Sequence, residues 1–145
     1  MDWNQIVKHI TEAYSPKQWI AIDFDGVIHS YSKGWHDGTP YDKVTEGCVE
    51  ALQELRNRGY RIAIHTARVT NQLDLNGVSI SNEQLKMLTE YLQNNNVPYD
   101  KIAPKIIAAA YIDDRAIYCA PLNEVGWDTV LANPLVQGGK LNAVD

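Results

Sequence analysis

The sequence predicts an α/β domain: one three-layer unit whose central, mainly parallel sheet is flanked by helices. Short apolar runs at 18–25, 60–65, 101–103 and 109–112 alternate with segments of helical spacing, and such alternation implies parallel strands joined by right-handed crossovers. Three of these runs end in polar residues at their carboxyl ends, where open sheets of this class bind ligands. With 145 residues the chain is long enough to bury one good core and too short for two ordinary domains.

Composition narrows the class. A hydrophobic fraction of 45% and a charged fraction of 21% are those of a soluble globular protein, and no apolar run approaches a membrane span. The start, Met1-Asp2-Trp3-Asn4-Gln5, has neither the basic region nor the long apolar region of a secretory signal, so the expected location is the cytoplasm. Cys48 and Cys119 are read as two buried thiols in a reducing compartment rather than a disulfide. A net charge of −5 argues against general attraction to nucleic acid or anionic membrane, so an anionic substrate requires a local positive site.

Asp2 caps a first helix with Gln5 three residues on, and Trp3, Ile6, Val7, Ile10, Ala13 and Tyr14 repeat along its packing face until Ser15-Pro16 ends it. This helix fills a 1–17 leader to the core. Strand one, 18–25, climbs into Asp23 and Asp25. Period-two alternation puts both acids on one side and Phe24 on the other, and Gly26 allows a sharp exit with unusual dihedrals beside a ligand. Residues 28–43 are polar, aromatic and turn-rich and read as a flap. Thr45 is the expected cap of the next helix, with Val49, Leu52 and Leu55 facing in and Gly59 just past its end. Strand two runs from Tyr60 to His65 and delivers Thr66. Asn76-Gly77 signals a small hairpin. Ser81 and Gln84 form a capping box for a helix to about Asn95, with Leu85, Leu88 and Leu92 buried. Strand three is Lys101 to Ala103, strand four is Ala109 to Ile112, and Ile117 to Cys119 reads as a fifth. Residues 134–145 read as a frayed tail. There are no internal repeats.

Strand one thus supplies Asp23 and Asp25, strand two Thr66, strand four Asp113 and Asp114, with Lys105 between. In a doubly wound, Rossmann-like sheet these strand ends are neighbours. Here the chain resembles the haloacid dehalogenase superfamily of phosphohydrolases, whose four ordered motifs match DFDGV, the Thr66 of IHTAR, Lys105, and the paired acids of YIDDRA. The resemblance covers roughly residues 18–120, the expected catalytic core, and is to the capless branch, since no segment is long enough for a separate cap domain. It implies that Asp23 is the nucleophile, forming an aspartyl-phosphate. Asp25 is then the acid for the leaving oxygen and the base for water, Thr66 a donor to a phosphoryl oxygen, and Lys105 the balancing charge. Carboxylates crowded at one sheet edge would repel both each other and a phosphate, which calls for a divalent cation, and oxygen-only ligands suit Mg²⁺. The implied ligands are Asp23, the backbone carbonyl of Asp25, and Asp113, with Asp114 acting through water or orienting the others.

Plainer readings stand beside these. Thr66 alone is a strand-end cap, Lys105 alone a surface lysine, and Asp113-Asp114 alone a solvated turn. Arg68 and Arg115 either bind substrate phosphate or pair with structural carboxylates. His29, His36 and His65 match no common zinc spacing. Tyr31, Trp35 and Tyr41 either cover a substrate or pack the flap down. The expected function is a Mg²⁺-dependent phosphomonoester hydrolase with a phosphorylated small molecule or an accessible macromolecular phosphate as partner. The alternatives are a phosphatase for nucleotides or nucleic-acid ends, and a non-catalytic relative that binds phosphate or protein.

Overall fold

A computed structural model describes residues 2–70, 80–106, 108, 110–117 and 119. Helix α1 (Trp3–Ala13) begins as its sequence requires. The Asp2 carboxylate accepts from the Gln5 amide and the Gln5 side chain accepts from the Asp2 amide, a complete capping box. Trp3, Ile6, Val7 and Ile10 are buried along one stripe, whereas Ala13, expected in that stripe, is exposed where the last turn leaves the domain.

Strands β1 (Trp19–Ile22), β2 (Arg61–Thr66) and β3 (Lys101–Pro104) form a parallel sheet in the order β1-β2-β3. The register aligns Ile20 with Ile62, Ile22 with Ile64, and Ile64 with Ile102, so one face carries a continuous isoleucine ladder. Helix α2 (Cys48–Asn57) buries Cys48, Ala51, Leu52 and Leu55 in the same core. Leu52 and Leu55 are fully buried, so truncating either to alanine costs about 2–5 kcal/mol. Helix α3 (Ile80–Asn94) adds Leu88, Tyr91 and Leu92. The result is a Rossmann-like α/β domain with a small parallel sheet and flanking helices. Among the described residues no helix is long and apolar enough to cross a membrane.

Several expectations need correction. Pairing of β1 stops at Ile22, and Asp23 to Asp25 lie in the turn that follows, not in the strand. Helix α2 begins at Cys48 behind a left-handed Gly47. The Thr45 hydroxyl is engaged elsewhere, accepting from the Trp3 indole (2.9 Å) and donating to the Val27 carbonyl (2.7 Å). Ser81 lies inside α3, which starts at Ile80, so it is not the cap. Gln84 turns inward to bond a side chain far along the chain, and Leu85 is 41% exposed. Residues 110–112 are unpaired and exposed, so there is no fourth strand among the described residues, and Ile117 and Cys119 pack against the core without strand pairing. Cys48 is a buried free thiol, as expected, and Cys119 is free and half-buried. The expected hairpin at Asn76-Gly77, Ala109 of strand four, and the 134–145 tail lie outside the described residues.

Candidate active site at the carboxyl end of the sheet

The turn after β1 is built on one carbonyl. Phe24 O accepts from the amides of Val27, Ile28 and His29 at 2.9–3.2 Å, while Gly26 N donates back to His29 O. This loop needs φ near +82° at Gly26, which glycine reaches without strain. No protein atom lies within 4 Å of where a Cβ would stand, so the dihedral alone demands it. Phe24, fully buried, packs edge-on against Tyr91 and anchors the turn in the core. The two flanking carboxylates therefore emerge on a fixed backbone.

Asp23 has one oxygen on its neighbour's amide (Phe24 N, 2.8 Å) and the other 3.7 Å from Lys105 Nζ, an electrostatic contact rather than a hydrogen bond. Its side chain is 38% exposed. Burial raises its pKa above the usual carboxylate value. Lys105 pulls the other way, and nearby Asp25 adds to the rise. Lys105 itself is pinned to the end of β2: its amide donates to Thr66 O (3.1 Å), and the Thr70 hydroxyl donates to its carbonyl. Its ammonium also lies 4.2 Å over the Tyr111 ring. The pKa of His65, on β2, is lowered, first by burial and then by Lys105, with Asp23 pulling the other way.

Asp25 sits in a different environment. Arg68 Nε and Nη2 fork onto its two oxygens at 2.7 and 2.9 Å, and His29 Nδ1 lies 2.9 Å from Oδ1. His29 is fully buried, and its Nε2 accepts from the Asp42 amide (3.0 Å). That acceptor role leaves Nε2 bare, so the proton is on Nδ1 and a neutral ring donates it to Asp25. Burial would raise the Asp25 pKa, but the bonds from His29 and Arg68 outweigh it and the net shift is downward.

The structure thus brings Asp23, Lys105 and Thr66 to the ends of three adjacent strands. Thr66 is buried and its hydroxyl accepts from the Arg68 amide (3.2 Å), capping the 3₁₀ turn Ala67–Val69, which is the plainer reading of this residue. Arg68 pairs with a carboxylate of the protein. Asp113 and Asp114 are not brought to the others: both are exposed, and Asp113 accepts from the Arg115 amide (2.7 Å) in a local turn. Among the described residues no three His, Cys, Asp or Glu side chains gather as a metal-holding group. Arg68 and His29 occupy the Asp25 side chain, which the implied ligand set does not use, since that set takes the Asp25 backbone carbonyl. The roles of His29 and Gln84 were missed. The signals available were His29 four residues beyond Asp25 and a glutamine on a helix face otherwise read as leucine.

No family model and no curated protein matches the chain. An MCSG target from Vibrio cholerae, known from its crystal structure, is 28% identical with a TM-score of 0.57, over 74% of this chain and 85% of that one. A chain of a Pnkp1/Rnl/Hen1 complex is 14% identical with a TM-score of 0.47, over 87% of this chain and 37% of that one, a likeness too slight to argue from.

Proposed function

We propose that this chain is a phosphomonoester hydrolase of the haloacid dehalogenase type, with Asp23 as the nucleophile. The observation that carries the reading is the Asp23–Lys105 pair at the strand ends, beside buried Thr66. Among the described residues, one Asp23 oxygen meets no donor other than the Lys105 ammonium, and the side chain is exposed enough to be reached. Its carboxylate would attack phosphorus in line, forming an acyl phosphate as the bond to the leaving oxygen breaks. Two unit charges about 4 Å apart attract by roughly 4 kcal/mol at an effective dielectric near 20, before desolvation and with solvent screening still to be subtracted. Lys105 therefore offsets the charge of Asp23 and of an incoming phosphoryl group together.

Asp25 is the proposed proton carrier. Arg68 and His29 keep it ionised, the state needed to accept a proton from the water that attacks the acyl phosphate in the second step, although the same donors make it a weaker base. Donating to a leaving oxygen in the first step requires that it be protonated, against the pull of those partners. A leaving group such as an aryl oxide, which departs unprotonated, avoids that demand.

Mg²⁺ belongs to the proposal because acids facing an anionic substrate call for an offsetting cation. Asp113 and Asp114 would have to leave their exposed turn to contribute. The test is hydrolysis of a generic aryl phosphate by the purified protein with Mg²⁺ and with excess chelator. Turnover with Mg²⁺ and its loss in chelator are expected. Full turnover in chelator removes the metal from the proposal, and no turnover on any phosphate ester, nucleotides and oligonucleotide ends included, favours the non-catalytic alternative.

A further inference from the structure

Arg68 does more than neutralise Asp25. Its side chain is 2% exposed, and the fork that binds Asp25 leaves Nη1 to donate to the Gly38 carbonyl and to Gln84 Oε1 (3.0 Å). The guanidinium carbon Cζ also lies 4.9 Å from the Trp35 ring centroid and 5.4 Å from that of Phe24. One buried cation thereby joins the turn after β1, helix α3 and the tip of the flap.

The rest of the flap is tied down at its base or to itself. Ser30 N donates to Lys43 O, Asp42 N to His29, and the Tyr91 hydroxyl to Asp42 O. Farther out, Lys33 N donates to the Tyr41 hydroxyl, which donates to Gly34 O. Neither of these outer bonds reaches the body of the domain. Gly38 has φ near +90°, and a Cβ there would run into the Gln84 side chain and meet the Trp35 ring at 3.3 Å, so the flap tip is seated closely as well as bonded.

We propose that Arg68 is a positioning residue, a guanidinium latch that seats the flap tip from Trp35 to Gly38 against the Asp25 side of the site. By seating the tip, the latch also orders the open cavity of about 420 Å³ within the flap itself, lined by Lys33, His36, Asp37, Thr39 and Tyr41. That this cavity receives the leaving-group part of a phosphate ester rests on the phosphohydrolase reading; the latch does not.

Backbone amide exchange separates the two. In Gly38→Ala, which keeps Arg68 and Asp25, and in Arg68→Ala, the flap at 31–41 should exchange about tenfold faster or more while α2 keeps its protection. Millimolar guanidinium should slow the flap again in Arg68→Ala, and ethylammonium at equal concentration should not, a recovery that lost packing would not show. Wild-type flap exchange in both variants overturns the latch, as does a rise shared equally by α2 or a failure of guanidinium to act. If Arg68→Ala does not fold, Gly38→Ala alone decides. Accelerated flap exchange in a protein that hydrolyses no phosphate ester leaves the latch standing and removes only the assignment of the cavity.

Discussion

Two carboxylates two residues apart are held in opposite ways. On the Asp23 side, one backbone amide and one ammonium at 3.7 Å leave an oxygen open and a pKa raised by burial. On the Asp25 side, a bidentate arginine and a neutral histidine occupy both oxygens and hold the pKa down despite burial. Lost solvation left uncompensated makes a reactive group, whereas solvation replaced by fixed donors makes a structural one. On the proposed reading, the difference separates what each acid would contribute: Asp23 to chemistry, Asp25 to the shape of the site and to a proton transfer within it.

The largest expected effect is on turnover. Asp23→Asn should lower aryl phosphate hydrolysis by at least about a thousandfold while leaving urea stability equal or higher, because it removes a carboxylate whose ionised form is disfavoured by burial. A fall in stability would break the comparison. Next, Asp25→Ala leaves buried Arg68 uncompensated and should lower the unfolding free energy by about 3–5 kcal/mol, measured by urea titration. A loss no larger than that of Asp23→Asn would show that the fork contributes little.

Smaller effects sharpen the same division. Trp35→Ala, at the flap tip over Arg68, should change the ratio of kcat/KM between a bulky and a small phosphate ester by roughly tenfold, with less effect on the small ester. Asp42, whose carboxylate accepts from the Ser32 and Lys43 amides, has its pKa lowered to about 2. Its folded pKa lies below the unfolded value of about 3.9, so its stabilisation is present above pH ~4 and is lost as pH falls toward 2. Flap protection measured down that range should therefore decline in the wild type and decline less in Asp42→Asn. Last, the Ser30 hydroxyl is buried with no partner among the described residues, so Ser30→Ala should change stability by less than about 0.5 kcal/mol or raise it.

Sequence patterns served well where the physics is local. The capping box at Asp2 and Gln5, the buried Leu52 and Leu55, and the existence of the strands β1, β2 and β3 follow from residues within a few positions of one another. They failed where a distant partner decides. Ser81 and Gln84 fit a capping box, but Arg68, sixteen residues earlier, takes the Gln84 side chain. Thr45 fits a helix cap, but the Trp3 indole and the Val27 carbonyl claim its hydroxyl. Alternation carried strand one through Asp25 because a period-two pattern cannot show where pairing stops. At the site, the strand order and the family resemblance led to the expectation that Asp23, Thr66 and Lys105 share one sheet edge, where the structure has them, while their chemical roles were implied by the resemblance alone. The pairing of Arg68 with Asp25 spans 43 residues and left no local trace. The expected union of Asp113 and Asp114 with the strand-one acids required a fourth strand that residues 110–112 do not form.

The most direct test of the central claim is to look for the phosphoryl group itself. After rapid acid quench of the protein turning over an aryl phosphate, mass spectrometry should find a hydroxylamine-labile phosphate on the peptide containing Asp23. It should be enriched in Asp25→Asn, where hydrolysis of the acyl phosphate is slowed, and absent from Asp23→Asn. The adduct on the Asp23→Asn protein, or no adduct in either the wild type or Asp25→Asn despite wild-type turnover, would contradict the assignment of chemistry to Asp23.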